Sequence, residues 1–441
     1  MTTLQTLAIR GAAWSIAGYG MSQVFRLGSN LILTRLLVPD LFGLMALMHT
    51  LIMGLELFSD VGIEPNIVQS PRGEEPVFLN TAWTLQVARG IGLWLLCIAM
   101  AWPAAKFYQQ PELVLLLPVL GLLTIFHGVQ STSLATLSRK IDLATLTLMQ
   151  LGTQATTLIV MVIWAYFSPS IWALIAGNLA AGLVKVLWSH RISPIVNHLS
   201  WDAKAAKELF TFGRWIFIST ALTFLAQQSD RLILGRLFSL EMLGIYSIAF
   251  TLADIPSKVV QQLGSRVIFP VISRQAHLPR PELKVKILQK RWLLLLGSII
   301  LVVGLVSTGD LLIEALYDQR YAEATWMMPI LALGLWPLIL ANTMSPTLLA
   351  IGEPRYNVFA FALKLTYMVV VLPWAFIQFG PRGAILAIAF NDLPSYAYFS
   401  YALCQEKLST FSQDVLATLI FAIALGLAFT IRLSLGAGLP F

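Results

Sequence analysis

The chain has 441 residues, of which 57% are hydrophobic and only 12% charged, with a formal net charge of +7. An ordinary soluble domain carries about 25% charged residues. A water-soluble globule is therefore excluded, and the chain reads as an all-α polytopic membrane protein. In that setting the positive balance fits Lys- and Arg-rich cytoplasmic loops and not a nucleic-acid partner. Cys97 and Cys404 lie far apart in or beside apolar segments, so neither a disulfide framework nor a metal site is expected.

A bilayer core takes about 20 apolar residues per helix. Thirteen apolar stretches are predicted, at about 11–37, 41–68, 78–107, 112–137, 141–167, 170–190, 208–237, 242–272, 290–317, 322–350, 356–379, 382–404 and 412–433. The first follows Arg10 and is too long for the core of a cleavable leader. Short turns with Pro, Gly or Asp separate the stretches, as in Val38-Pro39-Asp40 and Gly352-Glu353-Pro354. Several stretches exceed the minimum span and are expected to tilt or protrude.

One segment occurs twice. Leu31 to Ile52 (LILTRLLVPDLFGLMALMHTLI) overlies Leu232 to Ala253 (LILGRLFSLEMLGIYSIAFTLA) at a shift of 201 residues. The overlay matches Arg35 with Arg236, Gly43 with Gly244, and Trp14 with Trp215. A duplication decides architecture. With six stretches before the 191–207 loop, both copies start on one side of the membrane and form parallel repeats. The expected lobes are 1–200 and 201–405, with a central cavity, and 406–441 adds a thirteenth segment. With the N-terminus inside, Arg72, Arg139, Lys140, Arg191, Lys204, Lys207 and the cluster from Arg274 to Arg291 fall in the cytoplasm, which the positive-inside rule favours.

No nucleotide loop, metal-binding spacing, dinucleotide fingerprint or nucleophile elbow is present. ATP hydrolysis by the chain is excluded, no cofactor is expected, and no catalytic residue is assigned. Energy for transport would come from an ion gradient, the membrane potential or the cargo's own gradient.

Charge inside a bilayer costs about 2.5 kcal/mol or more, so it usually faces protein or water. Tyr19, Gln23, Arg26 and Asn30 form one helical stripe, and Ser219, Thr223, Gln227 and Asp230-Arg231 occupy the matching helix. The shift sets Arg26 on Gln227 and Asn30 on Arg231. Glu56, Asp60 and Glu64 recur every four residues, and Asp254, Lys258, Gln261 and Ser265 do much the same in the second half. Arg89, Lys364 and Asp392 lie within other stretches, and His49 and His127 are further inward candidates. Bland readings stand beside these. Asp254 and Lys258 can neutralise each other, as can Asp230 and Arg231. Arg35, Arg236 and Lys106 can snorkel, and either His can be a packed residue. Arg26 and Arg89 have no acidic neighbour on their own helix.

A cationic cavity calls for an anionic cargo, and the guanidinium fork suits phosphate oxygens. A lipid-linked pyrophosphate sugar fits, since its head group needs a wet positive path while its tail stays in lipid. The cargo site is assigned to Arg26, Arg89, Arg231, Lys258, Asn30 and Gln227. Ion coupling or charge tuning is assigned to Glu56, Asp60, Asp254 and Asp392.

Asp60-Val-Gly-Ile-Glu-Pro-Asn-Ile-Val-Gln69 resembles the end of the second helix in polysaccharide exporters and Wzx-type oligosaccharide flippases. Arg139-Lys140-Ile141-Asp142 is similar to the basic turn before their fifth helix. Gly244 to Phe250 with Pro256, then Val267 to Arg274, resemble their eighth helix and its exit, and Leu349 to Arg355 their turn before helix eleven. The likeness covers nearly the whole chain. It implies the multidrug/oligosaccharidyl-lipid/polysaccharide exporter fold and alternating access in a bacterial inner membrane. It also implies undecaprenyl-pyrophosphate-linked cargo, with Arg26 as the best match to the cavity arginines of such flippases, and a polymerase or export machinery as possible partner. Family members commonly have twelve or fourteen helices, from which thirteen departs. The competing readings are a drug or cation antiporter or a lipid II flippase on the same fold, and, from another class, a membrane polysaccharide polymerase. The antiporter calls for an acidic, aromatic cavity, and the polymerase for a substantial outer loop.

Overall fold

The computed structural model describes residues 3–192, 195–263, 272–273, 275 and 278–441, excepting the side chains of 3–13, 15–16, 212–219 and 262–263. Ser265 and most of 267–274 lie outside the described residues, as do the side chains of Trp215 and Ser219. Among the described residues every regular element is a helix. Among the described residues, eight helices are long and apolar enough to cross a membrane, and up to ten if each of two bent pairs counts as one span.

The chain divides into two compact units, 1–224 and 225–441. The first holds α1 (Thr3–Leu36), α2 (Pro39–Leu57), α3 (Ile63–Gln69), α4 (Pro76–Tyr108), α5 (Leu113–Val129), α6 (Ser133–Arg139), α7 (Leu143–Phe167), α8 (Ile171–Arg191) and the start of α9 (Ala203–Leu237). The second holds the end of α9, α10 (Leu240–Ala253), α11 (Ile255–Leu263), α12 (Arg280–Leu316), α13 (Ala324–Ala350), α14 (Arg355–Ala389), α15 (Leu393–Gln405) and α16 (Phe411–Ser434).

Local chemistry places the helix ends. Pro39 and Pro76 open α2 and α4, where a missing N–H costs nothing. The Asp142 carboxylate accepts from Thr145 N at 3.2 Å and caps α7. The stretch expected to run unbroken over 41–68 is two helices, because Gly62 takes a left-handed turn (φ 61°) and its N–H donates to Asp60 Oδ1 at 2.9 Å. That bond gives the Asp-x-Gly motif its physical meaning: carboxylate and glycine together turn the chain. A second break, at Gly380 (φ 63°, ψ −152°), divides α14 where one apolar stretch was expected to end and the next to begin.

In the first unit α4 packs on α5 at backbone distance. A Cβ on Gly90 would meet Thr124 O at 2.6 Å, and one on Gly128 would meet Gln86 O at 2.9 Å. Thr124 Oγ1 donates to Gly90 O at 3.0 Å across the same seam. Small residues let helices approach this closely inside lipid, and Arg89 directly precedes Gly90 at this contact. Arg139, in the basic turn, donates through Nη1 to the carbonyls of Ile67, Val68 and Ser70 at 3.2, 2.9 and 2.6 Å. It thereby satisfies the otherwise orphaned end of α3.

The loop expected to join the halves is stitched down. His198 N donates to Asn80 Oδ1 at 3.2 Å, Thr84 Oγ1 donates to Ser200 O at 2.9 Å, and Asp202 N donates to Thr81 Oγ1 at 3.1 Å. Ser131 Oγ and Asn197 Oδ1 close the other end at 2.7 Å.

In the second unit α13 is the most buried span, and α12 packs on both it and α16. Helix α16, the segment outside the duplication, is fastened to α12 near both ends. Arg291 pairs with Asp414, each almost fully buried, and Arg291 Nε also donates to Thr343 Oγ1 at 2.7 Å. At the other end Arg432 Nη1 meets Asp310 Oδ1 at 2.7 Å. Between them Trp336 of α13 stacks on Phe421 with centroids 4.7 Å apart.

Two outcomes are expected. Asp414→Leu alone strands a buried guanidinium and costs about 3–5 kcal/mol, whereas Asp414→Leu with Arg291→Met recovers much of that loss; thermal melting of the purified variants checks the order. Gly90→Leu overpacks the α4–α5 seam by about 1–3 kcal/mol and lowers the melting temperature, while a leucine at Gly92, where nothing lies within 4 Å of a Cβ, leaves it near wild type.

Candidate functional site

Among the described residues, polar cavities open in both units, two of them in the first and one in the second. Each belongs to a single unit.

The first lies between α1 and α7 and has a volume of about 260 Å³. Ser22, Gln23, Arg26, Ser29 and Asn30 line it from α1, and Gln154 faces them from α7. The helical pitch of 5.4 Å stacks Gln23, Arg26 and Asn30 on one face. Gln154 is held by its Nε2, which donates to Ser22 Oγ at 2.8 Å. Around this cavity several buried polar atoms lack a partner: Gln23 Oε1, Arg26 Nε and Nη2, and Gln154 Oε1. Buried polar groups are nearly always hydrogen-bonded, and each exception asks for a cause.

The second cavity, about 460 Å³, is walled by α2, α3, α4 and α5. Glu56, Asp60, Glu64, Gln86, Arg89 and His127 supply its polar lining. Arg89 Nε donates to Ser59 Oγ at 2.9 Å, and Nη2 donates to Glu56 O at 2.5 Å. Glu56 Oε1 stands 2.7 Å from His127 Nδ1. Arg26 and Arg89 thus border separate cavities, and Arg89 already has protein partners that Arg26 Nε and Nη2 lack.

The third, in the second unit, is only about 70 Å³. Gln227, Asp230, Asp254, Lys364 and Asp392 line it. Lys364 Nζ donates to both Asp392 oxygens at 2.8 Å, so these two neutralise each other. Lys258 pairs with Asp254 at 3.0 Å, one turn away on the same helical path. Arg231 Nη1 donates to Gln228 Oε1 at 2.5 Å, and its guanidinium sits 5.3 Å over the Phe250 ring, a cation–π placement. Gln227 therefore lines a cavity as its repeat-mate Arg26 does, while Arg231 and Lys258 are engaged within their own unit.

Sequence reasoning missed one residue and misjudged the partner of another. Gln154 had a signal, an amide within an otherwise apolar span, four residues after Gln150. Asp230 was placed on the polar stripe and read as a local partner of Arg231, but its partner on another helix was not foreseen. In the structure it accepts from the buried Tyr246 hydroxyl at 2.5 Å, and its other oxygen is buried without a partner.

Comparison with known proteins bears on this geometry. Over 394 residues the chain is 23% identical to the teichuronic acid biosynthesis protein TuaB of Bacillus subtilis, covering 86% of this chain and 79% of that protein. It is 22% identical to the succinoglycan biosynthesis transport protein ExoT of Rhizobium meliloti, covering 78% and 69%. Among solved structures, the inward closed conformation of the lipid II flippase MurJ superposes with a TM-score of 0.72 at 14% identity, covering 96% of this chain and 93% of that one. The helical exporter fold expected from the motifs is the fold observed. The model of the family described as "Polysaccharide biosynthesis protein" matches residues 32–326, two thirds of the chain, and the chain belongs to that family.

Proposed function

We propose that this protein flips polyprenyl-pyrophosphate-linked oligosaccharide repeat units from the cytoplasmic to the outer leaflet of a bacterial inner membrane. The cargo then serves synthesis of an exopolysaccharide, capsule or O-antigen. The N-terminus is cytoplasmic in this reading, the chain is a transporter and not an enzyme, and a polymerase or export complex receives the product. Family membership supports the cargo class, as do relatives named for teichuronic acid and succinoglycan.

The observation that carries the reading is Arg26, whose Nε and Nη2 are buried without a partner beside a polar cavity. A guanidinium within a span is costly unless something anionic or wet meets it. Pyrophosphate oxygens match its fork bidentately. Arg89 is assigned a second cargo contact, with Asn30 and Gln227 as polar wall and Arg231 and Lys258 as lesser contributors. Glu56, Asp60, Asp254 and Asp392 tune the charge or carry the coupling ion. Repeated exposure of such a site to alternate leaflets moves the head group while the lipid tail stays in the bilayer.

The test is genetic and chemical. In a strain lacking the chromosomal copy, the wild-type gene restores the polymer. Arg26→Gln with Arg89→Gln lowers polymer yield at least about ten-fold, as losing a charge-assisted hydrogen bond of about 1.5–3 kcal/mol requires, and the lipid-linked unit accumulates. Full polymer from the double variant contradicts the reading.

A further inference from the structure

The unpartnered atoms around the α1–α7 cavity are of two chemical kinds. Arg26 Nε and Nη2 are donors suited to an anion. Gln23 and Gln154 instead offer neutral amides, and a phosphate answers only the N–H half of such a group. Each amide has a buried oxygen with no partner, and the two come from different helices, α1 and α7, that line the same cavity. Gln154 is moreover fixed in place by Ser22 at 2.8 Å. Nearby, α1 and α7 touch closely, since a Cβ built on Gly18 would fall 2.2 Å from Thr147 Cγ2. The cavity is therefore walled by a packed seam and lined by a held amide.

We infer that this cavity reads the first sugar of the cargo, the one bonded to the pyrophosphate, with Gln154 and Gln23 as the residues that determine which sugar is accepted. The inference rests on the proposed flippase function. Sugar hydroxyls and N-acyl groups are neutral and both give and accept hydrogen bonds, as a glutamine amide does. Arg26 holds the adjoining phosphate, and the amides of α1 and α7 take the ring substituents beyond it. The cavity is small, about 260 Å³, against about 300 Å³ upward for pockets that hold drug-sized ligands. A site that hydrogen-bonds a hydroxyl rejects analogues lacking it, because its own buried polar groups are then stranded. Water would also satisfy the amides, but it confers no sugar preference, and that difference can be measured.

The test uses the full-length protein in detergent and water-soluble probes. These are geranyl pyrophosphate without sugar, and the same molecule carrying glucose, galactose or N-acetylglucosamine. Wild type binds at least one sugar-bearing probe about ten-fold more tightly than the bare one, the gain expected from a single well-made hydrogen bond. The isosteric variants Gln154→Met and Gln23→Met reduce that ratio to within about two-fold of unity, and Ser22→Ala, which releases Gln154 without removing it, reduces it part of the way. Arg26→Gln weakens sugar-bearing and bare probes alike. A wild-type protein with no sugar preference, or Met variants that keep the wild-type ratio, overturns the inference. If polymer export requires Arg26 while the Met variants keep the ratio, this inference alone fails. If export does not require the protein at all, the flippase reading fails with it.

Discussion

A guanidinium inside a hydrocarbon layer must be met by something, and that requirement organises the polar chemistry of this molecule. Most buried charges meet it internally. Arg291 has Asp414, Lys364 has both oxygens of Asp392, Lys258 has Asp254, and Arg432 has Asp310. Except for Lys258 with Asp254, which are one turn apart on one path, these pairs fasten helices to one another. They contribute little net stability relative to apolar replacements, yet losing one partner is costly. Arg26 departs from that pattern, since Nε and Nη2 have no protein partner and a polar cavity lies beside them. Among the described residues these four pairs are closed within the protein, whereas two donors of Arg26 are not, and the proposed function rests on that difference.

The scaffold that holds these groups is built from close approaches and carbonyl caps. Gly90 and Gly128 bring α4 and α5 to backbone distance, and Arg89 beside them donates to Ser59 and the carbonyl of Glu56. Arg139 closes the end of α3, while the 195–202 segment is tied along α4 by side chains of Asn80, Thr81 and Thr84. In the second unit α16 is clamped to α12 near both ends, which makes the segment outside the duplication part of that unit's framework.

Much of the fold was legible in the sequence because hydropathy in a bilayer is close to a direct constraint: apolar runs of spanning length become helices. The motif Asp60-Val-Gly62 was legible as a likeness but not as a turn, since the carboxylate-to-backbone bond that breaks 41–68 into α2 and α3 leaves no trace in hydropathy. Arg26 stood out because its own helix offers no acid. Arg89 stood out for the same reason, and there the rule was blind to tertiary partners: Ser59 and Glu56 O come from α2 and its end, thirty residues away in sequence. Lys364 and Asp392 illustrate the same limit across a gap of 28 residues. Gln154 was passed over because one amide in a span carries weak signal until its partner helix is known.

The most direct measurement of the central claim is photo-crosslinking in living cells. A photoreactive amino acid is placed at Leu158, which borders the cavity on α7, or at Val24, an exposed position on α1 outside the cavity lining. The account predicts that lipid-linked oligosaccharide is captured from Leu158, that Arg26→Gln abolishes that capture, and that Val24 captures phospholipid alone. Equal capture of the cargo from both positions, or capture from Leu158 that survives loss of the Arg26 guanidinium, would contradict it.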